Sequence, residues 1–116
     1  MTIDRTPAHL SDMLVFVREL RAIVGGASLE AYRGERVLNL AVEKLFINLG
    51  EAAQRVPEAK RASIGSVPWR QIIGLRNILA HGYEQVDHET LYRTVTTELA
   101  AAEDALAAWL AGAGDA

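Results

Sequence analysis

The unusual chemistry of this chain is gathered in one stretch, Arg76-Asn77-Ile78-Leu79-Ala80-His81-Gly82-Tyr83, which brings a guanidinium, a carboxamide, an imidazole and a phenol together within eight residues. A guanidinium is a permanent cation whose forked donors match a phosphate, and an imidazole is the side chain that trades protons near neutral pH. The pair suits metal-independent phosphodiester cleavage. Arg76 would bind the scissile phosphate and stabilise the charge that grows on it, while His81 would take or give a proton. RNA brings its own nucleophile, the 2′-hydroxyl, so no water-activating metal is needed. One histidine serves as base or as acid, not both at once, and a twofold dimer would place two copies of Arg76 and His81 in one groove.

Spacing sets a geometric condition on this chemistry. At about 100° per residue in a helix, Asn77 and His81 fall within about 40° of each other, and Arg76 and Tyr83 within about 20°. Arg76 and His81 lie about 140° apart, so they do not converge on an ideal helix. The helix unwinds before His81, or the arginine folds its long side chain around, or a second copy supplies the complement. Gly82 favours the first route, and the expectation is that route combined with the third.

Singly, each of these residues has a bland reading, since a polar side chain near a helix end is more often a cap or a satisfied core group than a catalyst. Other constellations are weaker still. His9 and His88 have no acidic partner at metal-ligand spacing, so neither a metal nor a cofactor is expected. Ser63 and Ser66 lack the Gly-x-Ser-x-Gly context of an activated nucleophile. Trp69 and Trp109 sit at core-facing positions and read as packing. Glu51 could pair with an arginine of the motif helix or remain solvated.

The elements that must position the motif read as helices throughout. The chain has 116 residues, no cysteine and a formal charge of −3, which suits one domain over 1–116 and excludes disulfides and thiolate metal sites. The charge is uneven: residues 55–83 carry a local +4, so the remainder carries −7. Leu10, Met13, Leu14, Val17, Leu20 and Val24 recur at helical steps over about 7–24, with Thr6-Pro7 as a starting cap and Gly25-Gly26 as the end. Ser28 offers a cap for a short turn through Tyr32. A helix over about 35–56 carries the stripe Val37 or Leu38, Ala41, Leu45, Leu49, Ala52 and Val56, and Pro57 stops it. Gly50 inside it costs about 1 kcal/mol in helix propensity, which predicts a tight crossing with another helix.

A short helix near 58–64 leads to the motif helix, about 68–81, opened by Pro68 and Trp69. Asp87 caps a last helix over about 88–111, with Leu91, Val95, Leu99, Ala102 and Leu106 as its seam and a flexible tail at 112–116. The class is therefore all-α, an antiparallel bundle of four to five helices. Nothing at the start resembles a signal peptide, and no apolar run approaches membrane-spanning length, which predicts a cytoplasmic protein with no membrane partner.

The motif also carries a resemblance. Arg76-Asn77-x-x-x-His81-x-Tyr83 resembles the Arg-x4-His-x-Tyr signature of the HepT toxins of the HEPN superfamily. The flanks Gly50-Glu51-Ala52, Val67-Pro68-Trp69, Ile73-Gly74-Leu75 and Val86-Asp87 follow the family's pattern in its order. The resemblance implies a HEPN-like helical bundle and a homodimer formed through the motif side. It implies the toxin of a bacterial toxin-antitoxin pair, an endoribonuclease acting on RNA through Arg76 and His81 of both subunits, with Asn77 in support. It further implies an antitoxin, an MntA-like minimal nucleotidyltransferase, that silences the enzyme by transferring AMP from ATP onto Tyr83. Glu84 departs from the pattern, standing where an aromatic residue is more usual. The alternative to an enzyme is a non-catalytic helical module that docks a nucleotidyltransferase through Arg76 and Tyr83.

Overall fold

The computed structural model describes residues 3–81 and 87–115, and among them there are helices and no strands. The order is α1 (Thr6–Val24), α2 (Leu29–Arg33), α3 (Arg36–Gln54), α4 (Glu58–Ala62), α5 (Trp69–His81) and α6 (His88–Asp115). Helix α1 is flanked by α3 on one side and α6 on the other, α2 bridges α3 and α6, and α5 lies on α3. Arg18 and Arg21 of α1 reach Glu103 of α6 at 3.3 and 2.7 Å, and the Tyr92 hydroxyl donates to the Ala27 carbonyl at 2.7 Å. These pairs fix α1 and α6 as antiparallel. The two arginines also hold the Glu103 carboxyl below its usual range, chiefly through the hydrogen bond from Arg21.

The apolar stripes of α1 and α6 are buried as the periodicity predicts. Leu10, Met13, Val17 and Leu20 meet Leu91, Val95, Leu99, Ala102 and Leu106 in one core, all essentially removed from water. Burial of side chains of this size is worth roughly 1.5–3 kcal/mol each, which makes this seam the main source of cohesion. Helix α3 follows expectation in part. Of the predicted stripe Leu49, Ala52 and Val56 are buried, whereas Val37 is 81% exposed and Ala41 faces water, and Asn39, Val42, Phe46 and Ala53 are buried as well. Asn39 is a polar residue inside the core, satisfied there by donating its amide to the Tyr32 carbonyl at 2.7 Å. Because α3 is covered by α1 and by α5, it is apolar on more than one side, and periodicity alone does not choose between them.

The helix starts are set by short side chains. Ser28 Oγ accepts the Ala31 N–H at 3.1 Å and Asp87 Oδ1 accepts the Thr90 N–H at 3.2 Å, as their positions predict. At α1 the work falls to Asp4, whose carboxylate accepts the Thr6 N–H at 2.9 Å, and Thr6 is already helical instead of serving as the cap. At the other end α6 continues as helix to Asp115, so residues 112–115, expected to be a flexible tail, carry helical backbone. Among the described residues no helix is long and apolar enough to cross a membrane.

Tyr32 provides a pH test of this core. Its ring is fully buried beside His88 and Tyr92, and burial pushes its phenol up to about 12. A raised phenol keeps its proton in the folded state while the unfolded chain loses it above about pH 10. The associated stability is therefore complete below pH 10 and is lost as pH rises toward 12. Melting temperature should fall across that window more steeply in wild type than in Tyr32→Phe, as followed by circular dichroism; parallel curves would refute this.

Candidate functional site

The motif occupies the second half of α5. Pro68 precedes the helix, its carbonyl accepting the Ile72 N–H at 3.0 Å, and the Trp69 indole donates to the Ile64 carbonyl at 3.0 Å, fixing the entry of α5 against the preceding loop. Ile72 and Leu79 are the buried anchors of the helix. Between them, α5 crosses α3 at Gly50. A Cβ built on Gly50 would overlap Cβ of Arg76, lie 2.7 Å from its Cγ and 3.1 Å from the Ile72 carbonyl oxygen. The missing side chain of Gly50 is thus the seat of the Arg76 stem, which gives the helix-weakening glycine its physical reason.

Over that seat the guanidinium is held by two neighbours. Arg76 Nη1 donates to Asn77 Oδ1 at 3.1 Å, and Nη2 stands 3.9 Å from Glu51 Oε1, an ion pair too long for a hydrogen bond. Among the described residues the Nε group is buried without a hydrogen-bond partner. Arg76 is thus fixed in position while Nη2, held only by the long contact to Glu51, keeps donors that an anion can take without breaking strong bonds. Asn77 is also approached by Gln54, whose Nε2 lies 3.5 Å from the same Oδ1. Gln54 was not singled out from the sequence, although it stands one turn beyond Gly50 on the same side of α3 and could have been found from that spacing.

His81 is the last residue of α5 and is exposed. The helix does not unwind before it, which corrects the first expected route to convergence. With α5 continuous from Trp69 to His81, the angular separation of about 140° between Arg76 and His81 holds within one chain. Arg76 is turned in against α3; His81 stands on a different side, in solvent. The structure thus brings Arg76, Asn77, Glu51 and Gln54 together and leaves His81 apart from them. Tyr83, Gly82 and Glu84 lie outside the described residues.

On the remaining side of α5 the bundle is open. A cleft of about 750 Å³ separates α5 from α6, lined by Trp69, Leu75, Ile78 and Gly74 on one wall and Thr90 and Glu98 on the other. Ile78 is 50% exposed there, and a side chain at Gly74 would meet nothing within 4 Å. Among the described residues one side-chain hydrogen bond, from the Gln71 amide to Thr94 Oγ1 at 2.9 Å, spans the two helices at the edge of this cleft. Trp69 and Trp109 both pack against the core, as read from their positions.

Comparison with known proteins supplies the remaining observation. The family described as ribonuclease HepT-like matches residues 13–108, from the first turns of α1 to the last third of α6. The chain belongs to the HepT-like ribonuclease family. A protein of Caldanaerobacter subterraneus, provisionally named an RNase, is 32% identical over 76 residues, 66% of this chain and 68% of that one. One from Methanocaldococcus jannaschii, named in the same way, is 26% identical over 92 residues, covering 79% of this chain and 84% of its own. A Thermococcus cleftensis protein carrying the name of a ribonuclease HepT is 23% identical, covering 78% of this chain and 83% of that one. No solved structure gives a significant match. By family, then, this HepT-like chain is a ribonuclease of the HEPN type, and its helical bundle agrees with that placement.

Proposed function

We propose that the chain is the toxin of a bacterial toxin-antitoxin pair, an endoribonuclease that cleaves RNA phosphodiesters without metal in a groove formed by two copies. The observation that carries this reading is the state of Arg76, fixed on Gly50 yet with donors uncommitted. It receives the scissile phosphate and stabilises the negative charge of the transition state. His81 moves the proton: as base it withdraws the 2′-hydroxyl proton while that oxygen bonds to phosphorus and the bond to the 5′-oxygen breaks, and the imidazolium so formed gives a proton back to the departing 5′-oxygen, leaving a cyclic phosphate. Asn77 orients the guanidinium through the 3.1 Å hydrogen bond to its Oδ1. Since one copy keeps Arg76 and His81 on different sides of α5, the groove takes His81 from the second copy. The open α5 surface around Ile78 supports pairing at that side.

Regulation in this reading falls on Tyr83, two residues beyond His81, as the acceptor of AMP from an MntA-like minimal nucleotidyltransferase. Each AMP adds a phosphodiester anion and bulk near the guanidinium, where it competes with the substrate phosphate. Coexpression with a neighbouring nucleotidyltransferase should add mass in AMP-sized steps that disappear in Tyr83→Phe. The purified unmodified protein should cut RNA in the presence of a chelator. Intact mass spectrometry and a gel assay read the two outcomes. Tight nucleotidyltransferase binding with no cleavage and harmless expression would instead favour the non-catalytic docking module.

A further inference from the structure

Among the described residues, five of the ten arginines stand within ion-pair distance of a carboxylate: Arg18 and Arg21 share Glu103, Arg33 and Arg93 share Glu89, and Arg76 lies 3.9 Å from Glu51. Two of the other five, Arg5 and Arg55, come together where α1 begins and α3 ends. A cavity of about 400 Å³ is lined there by Asp4, Arg5, His9 and Arg55, among others, and Lys60 lies close enough to act on the Asp4 carboxyl. Among the described residues, neither Arg5, Arg55 nor Lys60 has a carboxylate within ion-pair distance. Asp4, the acid among them, already accepts the Thr6 N–H at 2.9 Å, and that hydrogen bond, helped by Lys60 and His9, holds its carboxyl below the usual value. The cluster therefore carries an excess of positive charge around a concave surface, an arrangement that attracts an anion.

The cluster is also joined to the site. Arg55 directly follows Gln54, whose amide approaches Asn77 at 3.5 Å, and consecutive Cα atoms stand about 3.8 Å apart. Arg61 secures this junction, donating to the Gln54 and Val56 carbonyls at 3.1 and 2.9 Å. Arg76 and Arg55 are thus linked through Asn77 and Gln54 across the end of α3. An arginine so near the site and left without a carboxylate partner is placed for a second phosphate of the same strand, not for the scissile one.

We infer that the cavity at the start of α1 is a phosphate anchor for single-stranded RNA, with Arg55 and Arg5 as its contacts. It rests on the ribonuclease reading in taking RNA as the strand, but its test does not depend on cleavage. A 2′-O-methyl oligoribonucleotide, which lacks the nucleophile, is titrated by fluorescence anisotropy against the full-length protein over a range of salt concentrations. Each phosphate contact to a single strand contributes about 0.7 to the slope of log affinity against log salt. The double variant Arg5→Ala/Arg55→Ala should flatten that slope by about 1.4 and weaken binding at low salt by roughly tenfold or more. With cleavable RNA it should raise KM and leave kcat at saturation unchanged. Arg36→Ala, which removes an exposed cation from the far end of α3, should change neither. The double glutamine variant, which removes the charge but keeps a polar side chain with much of the aliphatic stem, should repeat the result if the alanine protein folds poorly.

An unchanged slope, or an equal flattening by Arg36→Ala, would overturn the anchor, as would a wild-type protein that does not bind the oligonucleotide. A protein that binds with the expected slope change yet never cuts RNA upholds the anchor and overturns the nuclease reading. Cleavage with a KM indifferent to both arginines does the reverse.

Discussion

Gly50→Ala should abolish most RNA cleavage while the protein remains folded and helical. The methyl group would overlap the Cβ of Arg76 and press on its Cγ and on the Ile72 carbonyl. None of these is the free end of a flexible chain: two belong to the root of the arginine and one to the backbone of α5, so α5 must shift as a unit. Overpacking of this kind costs about 1–3 kcal/mol, and a displacement near 1 Å at a phosphate-binding group can cost about 10²-fold in rate. The expected signature is a fall in kcat larger than the loss of stability would explain, with the secondary structure unchanged by circular dichroism. Alanine has the higher helix propensity, so α3 in isolation would gain about 1 kcal/mol from the change. A net loss therefore reports the crossing. Wild-type activity and melting temperature in Gly50→Ala would show that Arg76 does not depend on this seat.

That crossing is a part of the architecture the amino-acid sequence makes legible, because a glycine in mid-helix needs a reason and close approach is the commonest one. The stripes of α1 and α6 were legible too, since each helix has one covered side and its apolar residues mark it. Helix α3 was legible in its second half, where Leu49, Ala52 and Val56 are buried, but not in its first, where Val42 and Phe46 face the core while Val37 stands in water, and the buried polar Asn39 is invisible to a count of apolar residues. For Glu51 the sequence leaves pairing with a motif-helix arginine and solvation both open, and the 3.9 Å ion pair with Arg76 falls on the side of pairing. Gln54 is legible only through its spacing, one turn beyond Gly50, since an exposed glutamine carries no signal of its own. The end of α5 was also misjudged. Glycine at position 82 permits a break but does not impose one upstream, and the backbone hydrogen bonds of α5 extend to His81. What the chain binds is written on other molecules, and the proposed pairing surface around Ile78 shows only as apolar area exposed to water.

Mixing two inactive variants should restore cleavage. Arg76→Ala and His81→Ala proteins, each expected to lose activity by a factor of about 10² or more on their own, differ in which half of the site they lack. If each site takes Arg76 from one copy and His81 from the other, a dimer of the two variants holds one site missing both residues and one site missing neither. Random exchange at equal concentrations makes about half of the dimers mixed, each with one intact site of two, so about a quarter of wild-type activity should return. If instead the two residues act within one copy, every site in the mixed dimer lacks one of them and nothing returns. The continuity of α5 to His81 is the reason to expect recovery, since it keeps the imidazole about 140° from the arginine of its own chain. Exchange is confirmed by intact mass under native conditions with one variant carrying a mass label. A mixture that has exchanged fully and still cuts no faster than its parents would remove the shared groove from the mechanism, and would require the arginine side chain or the segment beyond His81 to bring the two groups together within one copy.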